Sequence, residues 1–193
     1  LTNSGGTFIV QSDASGFGSL IVANSSTGDV NFNSFLTADQ WHIVSSPVST
    51  QSINSFLLNI SNAIPDKSGD YGVTDYTEIS NVWSSYFTTA TAGNFTNGKG
   101  YLMRRGSTDG TVSFTGTLVF NDKSVDIDRD ERGWNAVGNP FSCAIGVTDG
   151  ATTAANFLTS NLSQLDPNFS ALYIWDEQAN YLGGRFDYKV IGN

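Results

Sequence analysis

The residues best suited to bind a cation form an acidic run, VDIDRDERG, at positions 125–133. Asp126, Asp128 and Asp130 have the alternate spacing of the first ligands in a calcium-binding loop. The match ends there, because Glu131 stands where such a loop needs Gly and Val137 stands where it needs a bidentate Glu. On a β-strand the same spacing places three carboxylates on one solvent-exposed face. We favour that interpretation, with no cofactor, and keep Ca²⁺ as the alternative.

Aromatic side chains in two segments could bind a sugar. An exposed ring covers the apolar C–H face of a sugar, while nearby Asn, Asp and Gln side chains take its hydroxyl groups. On a strand, Tyr173 and Trp175 would share one face and Leu172 and Ile174 the other, so the aromatic pair would face solvent if the aliphatic pair is core. Packing of these rings between repeated units is the alternative. The candidate ligand-binding residues are Trp83, Tyr86, Tyr173, Trp175 and Tyr181.

Catalytic motifs do not stand out from the sequence. The chain has one His, His42, and one Cys, Cys143, which excludes an intramolecular disulfide and most zinc sites. Cys143 has apolar neighbours in FSCAI, which predicts a buried, inert thiol. Some pair of the 18 acidic residues could always be nominated for glycoside hydrolysis, but no motif selects one. We therefore predict no enzymatic activity, with membership of a larger polysaccharide-degrading enzyme as the exception.

The composition restricts the partners of the 193-residue chain. Only 14% of the residues are charged, and Ser, Thr, Asn and 20 Gly take their place, which is typical of a turn-rich extracellular β protein. Nine basic residues against 18 acidic ones give a net charge of −9, which argues against nucleic acid and anionic membranes. No apolar run is long enough to insert into a membrane. A glycan or a protein surface remains as the expected partner.

Alternating apolar and polar residues predict the strands that must position these side chains. Such segments occupy positions 7–12, 18–25, 29–36, 100–105, 111–120 and 124–131, and ALYIWDEQANYLG (171–183) is a strand, a polar turn and a second strand. Two segments have helical spacing, 49–64 and 151–162. The sequence thus predicts an all-β, β-dominated protein of two related β-sandwich-like units with short crossover helices.

A repeated motif suggests where these units divide. QWHIVSSPV (40–48) and GWNAVGNPF (133–141) match at Trp, Val and Pro with one constant offset, and we predict that both form the same strand end, with Trp134 and Val137 in a core. The element order around them also repeats. We predict a first unit over 1–106 and a second over 107–193, with one continuous domain as the alternative. The second unit lacks a counterpart of GKGYLMRR, so we expect an unpaired sheet edge that accepts a strand from the rest of a parent chain or from a neighbour.

The two motifs are similar to a pattern found in secreted proteins of Bacteroidota. GWNAVGNPFSCAI resembles the GWNLVGNPYPSAI pattern of surface proteins exported by the type IX pathway, and QWHIVSSPV resembles the W-H-x-x-S-S-P-V pattern that precedes it. Such regions occur in adhesins, proteases and polysaccharide-degrading proteins, outside the catalytic domain. The resemblance implies an extracellular or cell-surface location and a non-catalytic adhesion or structural role. The alternative is a carbohydrate-binding module that uses the aromatic residues around Trp83 and Trp175.

Overall fold

A computed structural model of the protein describes residues 1–148, 156–176 and 187–192. These residues form two compact units, 1–143 and 144–193. Most regular structure in the described part is β, with two α-helices, α1 (Ile53–Leu58) and α2 (Phe157–Asn161), and 3-10 turns at Ile60–Asn62, Glu78–Ser80 and Leu162–Gln164. The described strands are β1 (Ile9–Val10), β2 (Val30–Leu36), β3 (Trp41–Val44), β4 (Val48–Ser49), β5 (Asp66–Lys67), β6 (Asp70–Tyr71), β7 (Val73–Thr77), β8 (Val82–Trp83), β9 (Tyr101–Arg104), β10 (Gly110–Leu118), β11 (Ala171–Asp176) and β12 (Asp187–Gly192).

Unit 1 contains two four-stranded sheets, and the all-β, sandwich-like class predicted from the sequence is confirmed. One sheet has the order β1-β2-β10-β4 and the other the order β3-β9-β7-β8. Residues alternate between buried and accessible along β10, so that Val112, Phe114 and Leu118 point into the core. Tyr101 and Met103 do the same on β9. The alternation that predicted these strands therefore reflects one buried face on each sheet.

A group of aromatic rings fills the core of unit 1. The Phe114 ring lies 4.8 Å from that of Phe56 on α1 and 5.6 Å from that of Phe95, and Phe95 contacts Tyr101 on β9 at 4.8 Å. These contacts join strands of both sheets to the helix. The Phe56–Phe114 pair is stacked and the two pairs of Phe95 are edge to face, and both arrangements add to the stabilisation that burial alone supplies.

Two buried amide side chains satisfy the edge of β10 that β4 leaves uncovered. β4 pairs only with the end of β10, at Thr117 and Leu118. Earlier along the same edge, the backbone N–H of Ser113 donates to Asn62 Oδ1 at 2.8 Å, and that of Thr115 donates to Gln51 Oε1 at 2.6 Å. Because an unpaired buried N–H is costly, these side chains take the place of a neighbouring strand.

Unit 2 contains α2 and an antiparallel pair of strands. The side chain of Asn156 caps α2 by accepting the backbone N–H of Thr159 at 2.8 Å. β11 pairs with β12 along its whole length, from the Ala171–Gly192 pair onwards. The predicted turn and second strand at 177–183 lie outside the described residues. The expected unpaired edge that would accept a strand stays a prediction.

Several strand predictions were wrong in detail. Residues 18–25 form no strand, and only Ile9–Val10 of the segment 7–12 does. The acidic segment 124–131 is also irregular, and its last two residues, Asp130 and Glu131, donate their backbone N–H groups to the buried Glu78 carboxylate instead of to a strand. The predicted helix at 49–64 is shorter, and residues 151–155 of the second lie outside the described part.

The compact units differ from the boundary predicted between residues 106 and 107. The longest ladder among the described residues crosses that boundary, since β10 pairs with β2 from Gly110–Leu36 to Gly116–Val30. A cut at 106 would separate two strands of one sheet. The repeat of element order that suggested the boundary remains a prediction.

Candidate functional site

An open cleft of about 200 Å³ lies in unit 1 at the end of β7. Pockets for drug-sized ligands measure roughly 300–1,000 Å³, so this smaller cleft suits a single ring or a short chain. Its wall combines apolar and polar groups from four separate segments of the chain. The lining residues are Tyr76, Thr77, Glu78, Ile79, Lys99, Val125, Asp126, Asp128, Asn135, Ala136 and Val137.

Strands β7 and β8 place an aromatic pair at the cleft. Tyr76 is paired with Trp83 in the β7–β8 ladder, and their rings meet edge to face with centroids 5.5 Å apart. The Tyr76 hydroxyl donates to Asn81 Oδ1 at 2.6 Å, which fixes the orientation of the ring. The Tyr76 ring therefore lines the cleft, and it is packed against Trp83, which is not among the lining residues.

The second copy of the Trp-to-Pro motif forms the opposite wall by extending the sheet of β9. The backbone N–H of Gly100 donates to the Ala136 carbonyl at 2.9 Å, and that of Gly138 donates to the Gly98 carbonyl at 2.9 Å. An antiparallel bridge between Lys99 and Val137 lies between these bonds. This pairing brings Lys99 and Val137 together in the cleft wall.

Glu78 holds the acidic loop in place through its carboxylate. The side chain is buried, with 4% of its surface exposed, and its carboxylate accepts the backbone N–H groups of four successive residues, 130–133. The distances to Asp130 and Arg132 are 2.9 and 2.7 Å. These bonds, led by that from Gly133, hold the pKa of the Glu78 carboxyl below its ordinary value although burial acts in the opposite direction.

Asn135 of the motif closes the same loop. Its Nδ2 donates to the Asp128 carbonyl at 2.9 Å and to the Gly133 carbonyl at 3.2 Å, while its Oδ1 accepts the Asp128 backbone N–H at 3.1 Å. The second copy of the motif therefore holds the acidic loop through Asn135 and also forms part of the cleft wall. His42, at the matched position of the first copy, is instead buried, with Nε2 3.1 Å from the Thr37 carbonyl oxygen.

The charged residues of the cleft differ in how they are compensated. Lys99 Nζ is 2.6 Å from Asp75 Oδ2, and both side chains are partly buried. Asp126 and Asp128 are exposed at the rim, and their carboxylates have no hydrogen bond or ion pair with the described residues. The arrangement can therefore receive a hydrogen-bond donor or a positive charge at the rim.

The structure brings two of the three candidate calcium ligands to the cleft. Asp126 and Asp128 line it, whereas Asp130 directs its backbone N–H toward Glu78. Within residues 1–148, 156–176 and 187–192, no group of three or more His, Cys, Asp or Glu side chains is placed to hold a metal ion. Calcium binding stays a prediction.

The candidate aromatic residues of unit 1 form two separate pairs. Tyr86 is 49% exposed and stacks on Trp41, with ring centroids 5.8 Å apart and planes at 4°. Trp83 is partly buried against Tyr76. Neither candidate is fully buried, and only the Trp83 pair adjoins the cleft.

The candidate aromatic residues of unit 2 lie on one face of the β11–β12 ladder. Tyr173 is opposite Val190 and Trp175 is opposite Tyr188, and the Trp175 and Tyr188 rings meet edge to face at 5.4 Å. Tyr173 and Trp175 are partly buried, and Ile174 on the other face is 44% exposed. The expectation that Ile174 would be core was therefore wrong. Tyr181 lies outside the described residues.

The prediction that both motif copies form the same buried strand end was wrong. The first copy forms β3 and β4, whereas the second has a single bridge at Val137 and no strand. Trp134 is 46% exposed, because its segment runs along the rim of the sheet and not between the sheets. Cys143 is partly exposed, not buried.

Sequence reasoning missed Tyr76, Glu78, Lys99 and Asn135 as cleft residues. Glu78 and Lys99 interrupt an otherwise charge-poor stretch, which is a weak signal in a chain with only 14% charged residues. Their partners, residues 130–133 and Asp75, are distant in sequence, so no local pattern could join them.

The fold and the cleft together define a β-dominated, sandwich-like protein with an open cleft walled by an aromatic ring and acidic side chains. The chain belongs to the family described as "Domain of unknown function (DUF8693)", whose model matches residues 1–187. No curated protein and no solved structure matches the chain. None of the described helices has the length and apolar character needed to span a membrane.

Proposed function

We propose that the protein is a non-catalytic module of a secreted or cell-surface protein that serves adhesion by binding glycans at the cleft of unit 1. The observation behind this proposal is the combination of the Tyr76–Trp83 pair with polar side chains around one small cleft. Aromatic rings cover the C–H face of a sugar, and Asp, Asn and Lys groups bind its hydroxyls. The volume of about 200 Å³ fits one sugar unit.

The mixture of aliphatic and hydrogen-bonding groups in the cleft wall favours a sugar over an apolar ligand. Ile79, Val125 and Val137 supply aliphatic surface, and Asp126, Asp128 and Asn135 supply hydrogen-bonding groups. A sugar has the same mixture, since its ring carbons are apolar on one face and its hydroxyls lie around the edge. The resemblance of the two motifs to those of exported Bacteroidota surface proteins supports a location where glycans are present.

The lowered pKa of Glu78 and its hydrogen bonds to the loop support a binding role without catalysis. A glycosidase needs a carboxylic acid whose pKa is raised so that it can protonate the leaving group. The four N–H groups around Glu78 act in the opposite direction and hold its pKa low. Its oxygens are also occupied by the loop, so Glu78 serves as an anchor and not as a general acid.

A glycan array with matched variants tests this proposal. We expect the wild-type chain to bind a defined set of glycans and Trp83→Ala to weaken that binding at least about tenfold, because Tyr76 loses its support. Trp175→Ala tests the aromatic face of unit 2 in the same assay. Phe17→Ala is the control, because Phe17 is 80% exposed and lies outside the candidate residues. Absence of binding to every glycan on the array would overturn the carbohydrate proposal.

A structural or spacer role is the second candidate, and one observation favours it. Trp41 and Tyr86 are nearly parallel, with ring centroids 5.8 Å apart, so each ring covers part of the other. An aromatic pair of this kind stabilises a fold without any ligand. Unchanged glycan binding in Tyr86→Ala, together with lower stability, would assign this pair to structure.

A further inference from the structure

Some charged side chains of the cleft are paired with other groups of the described chain and others are not, and this difference affects the charge of the ligand that the cleft can bind. The Glu78 carboxylate is occupied by the backbone N–H groups of 130–133, and Lys99 is paired with Asp75 at 2.6 Å. Asp126 and Asp128 have no such partner among the described residues. The rim of the cleft therefore has two negative charges that face solvent.

Neither of the two basic residues in the acidic loop, Arg129 and Arg132, lines the cleft. Arg129 packs its Cγ against Gly133, where an added Cβ would lie 3.3 Å away, and it is not among the lining residues. Arg132 forms an ion pair of 3.4 Å with Glu131. Lys99 is thus the single basic side chain that the described residues place in the cleft wall, and its charge is offset by Asp75.

We propose that the cleft selects sugars by charge, and that it prefers an amine-bearing sugar over the neutral one and excludes a carboxylate-bearing one. This inference rests on the proposed glycan-binding function. The ammonium group would lie near Asp126 and Asp128, whose carboxylates attract a positive charge. Lys99 remains as a donor to hydroxyl groups, because its ammonium group has three N–H groups and its bond to Asp75 uses one.

A sugar fits these observations better than the ammonium group of a protein lysine. A lysine side chain brings a methylene stem and an ammonium group, whereas a sugar also brings a C–H ring face for Ile79, Val125 and Val137 and hydroxyl groups for Lys99. The two sources of an amine can be separated by experiment, because a lysine amide has the charge without the ring.

Ligand-observed NMR with titration tests the inference on the full chain. The probes are glucosamine, glucose, glucuronate and N-acetyl-lysine methylamide, at mildly acidic pH where the amines are protonated. We expect glucosamine to bind about fivefold more tightly than glucose, as expected for one charge pair in a water-like medium, with glucuronate weakest. The preference should decrease as salt is raised.

Substitutions at Asp126 and Asp128 test whether these carboxylates cause the preference for glucosamine over glucose. Asp126→Asn with Asp128→Asn should make glucosamine and glucose bind equally, because the two amides have no charge with which to favour the ammonium group. Asp122→Asn is the matched control, because Asp122 precedes the same acidic loop, is exposed and does not line the cleft. Circular dichroism and melting curves establish that each variant is folded.

The possible results separate the inference from the proposed function. Equal binding of glucose, glucosamine and glucuronate in the wild-type chain would overturn the charge selection and leave the glycan proposal intact. Binding of the lysine amide as tightly as glucosamine would overturn the assignment to a sugar. If no sugar binds and the array is also negative, both proposals fail together.

Discussion

Ser45 and Gly138 hold the same position in the two copies of the Trp-to-Pro motif, and their backbones are packed against each other in unit 1. A Cβ added to Gly138 would overlap the Cβ of Ser45, and would lie 3.1 Å from its Oγ. The two copies are therefore neighbours in space. This contact determines how closely the second copy approaches the β3–β9 sheet, and so it positions the cleft wall formed by Asn135–Val137.

Replacement of Gly138 by Ala should destabilise unit 1. The added methyl group meets Ser45 and forces the second motif away from the sheet, and overpacking of this kind costs roughly 1–3 kcal/mol. Denaturant unfolding measures the loss. Gly16→Ala is the matched control, since nothing lies within 4 Å of a Cβ there. A double variant with Ser45→Gly should lose less than the two single variants added together, and simple additivity would contradict a direct contact.

Replacement of Glu78 by Gln should lower the melting temperature at neutral pH by several degrees. The Gln amide presents an N–H₂ group to backbone N–H groups that need an acceptor, so part of the loop loses its anchor. Glu131→Gln is the control, because that side chain is half exposed. Thermal melts across a pH series measure both variants.

The difference between wild type and Glu78→Gln should depend on pH. The folded-state pKa of Glu78 lies below its ordinary value of about 4.5, so its stabilising effect is complete above that pH. The effect is lost as pH falls through the lowered pKa, because the protonated acid no longer accepts all the N–H groups. The two melting curves should therefore converge in acid. A constant difference down to the lowest pH at which the chain folds would contradict this account.

Removal of the Phe114 ring should cost about 3–5 kcal/mol of unfolding free energy. Phe114 is fully buried and contacts both Phe56 and Phe95, so Phe114→Ala leaves a cavity between the two sheets. Phe17→Ala, at an exposed ring, should change the free energy by less than about 0.5 kcal/mol. Urea titration followed by tryptophan fluorescence distinguishes the two. Similar losses in both variants would show that the core lies elsewhere.

Replacement of Asn62 by Ala should destabilise the protein by roughly 1–3 kcal/mol, because it leaves a buried N–H of β10 without an acceptor. Asn62 Oδ1 accepts from Ser113, and its Nδ2 donates to the Phe56 carbonyl at 3.0 Å. Hydrogen exchange should show faster exchange at the Ser113 amide in the variant. Asn54→Ala is a control at a partly exposed position, and it removes one surface hydrogen bond, to the Thr89 carbonyl. An unchanged exchange rate at Ser113 would contradict the assigned bond.

The sequence by itself determined the class of fold and its main strands. Alternation at 29–36, 100–105 and 111–120 predicted β2, β9 and β10, because burial of every second residue is imposed by the strand itself. The failed strand prediction at 124–131 also has a physical cause. Residues 124–131 alternate equally well, yet they form no strand, because pairing requires a neighbour that the sequence does not specify.

Only the tertiary structure decided which polar groups meet. Glu78 and the loop at 130–133, Lys99 and Asp75, and Ser45 and Gly138 are joined across long stretches of chain, so no local spacing connects them. The sequence identified Asp126 and Asp128 as acidic and exposed, but not that an aromatic ring and an amide would stand opposite them. Periodicity records which face of a segment is buried, whereas a cleft depends on which segments pack together, and that is set by the core as a whole.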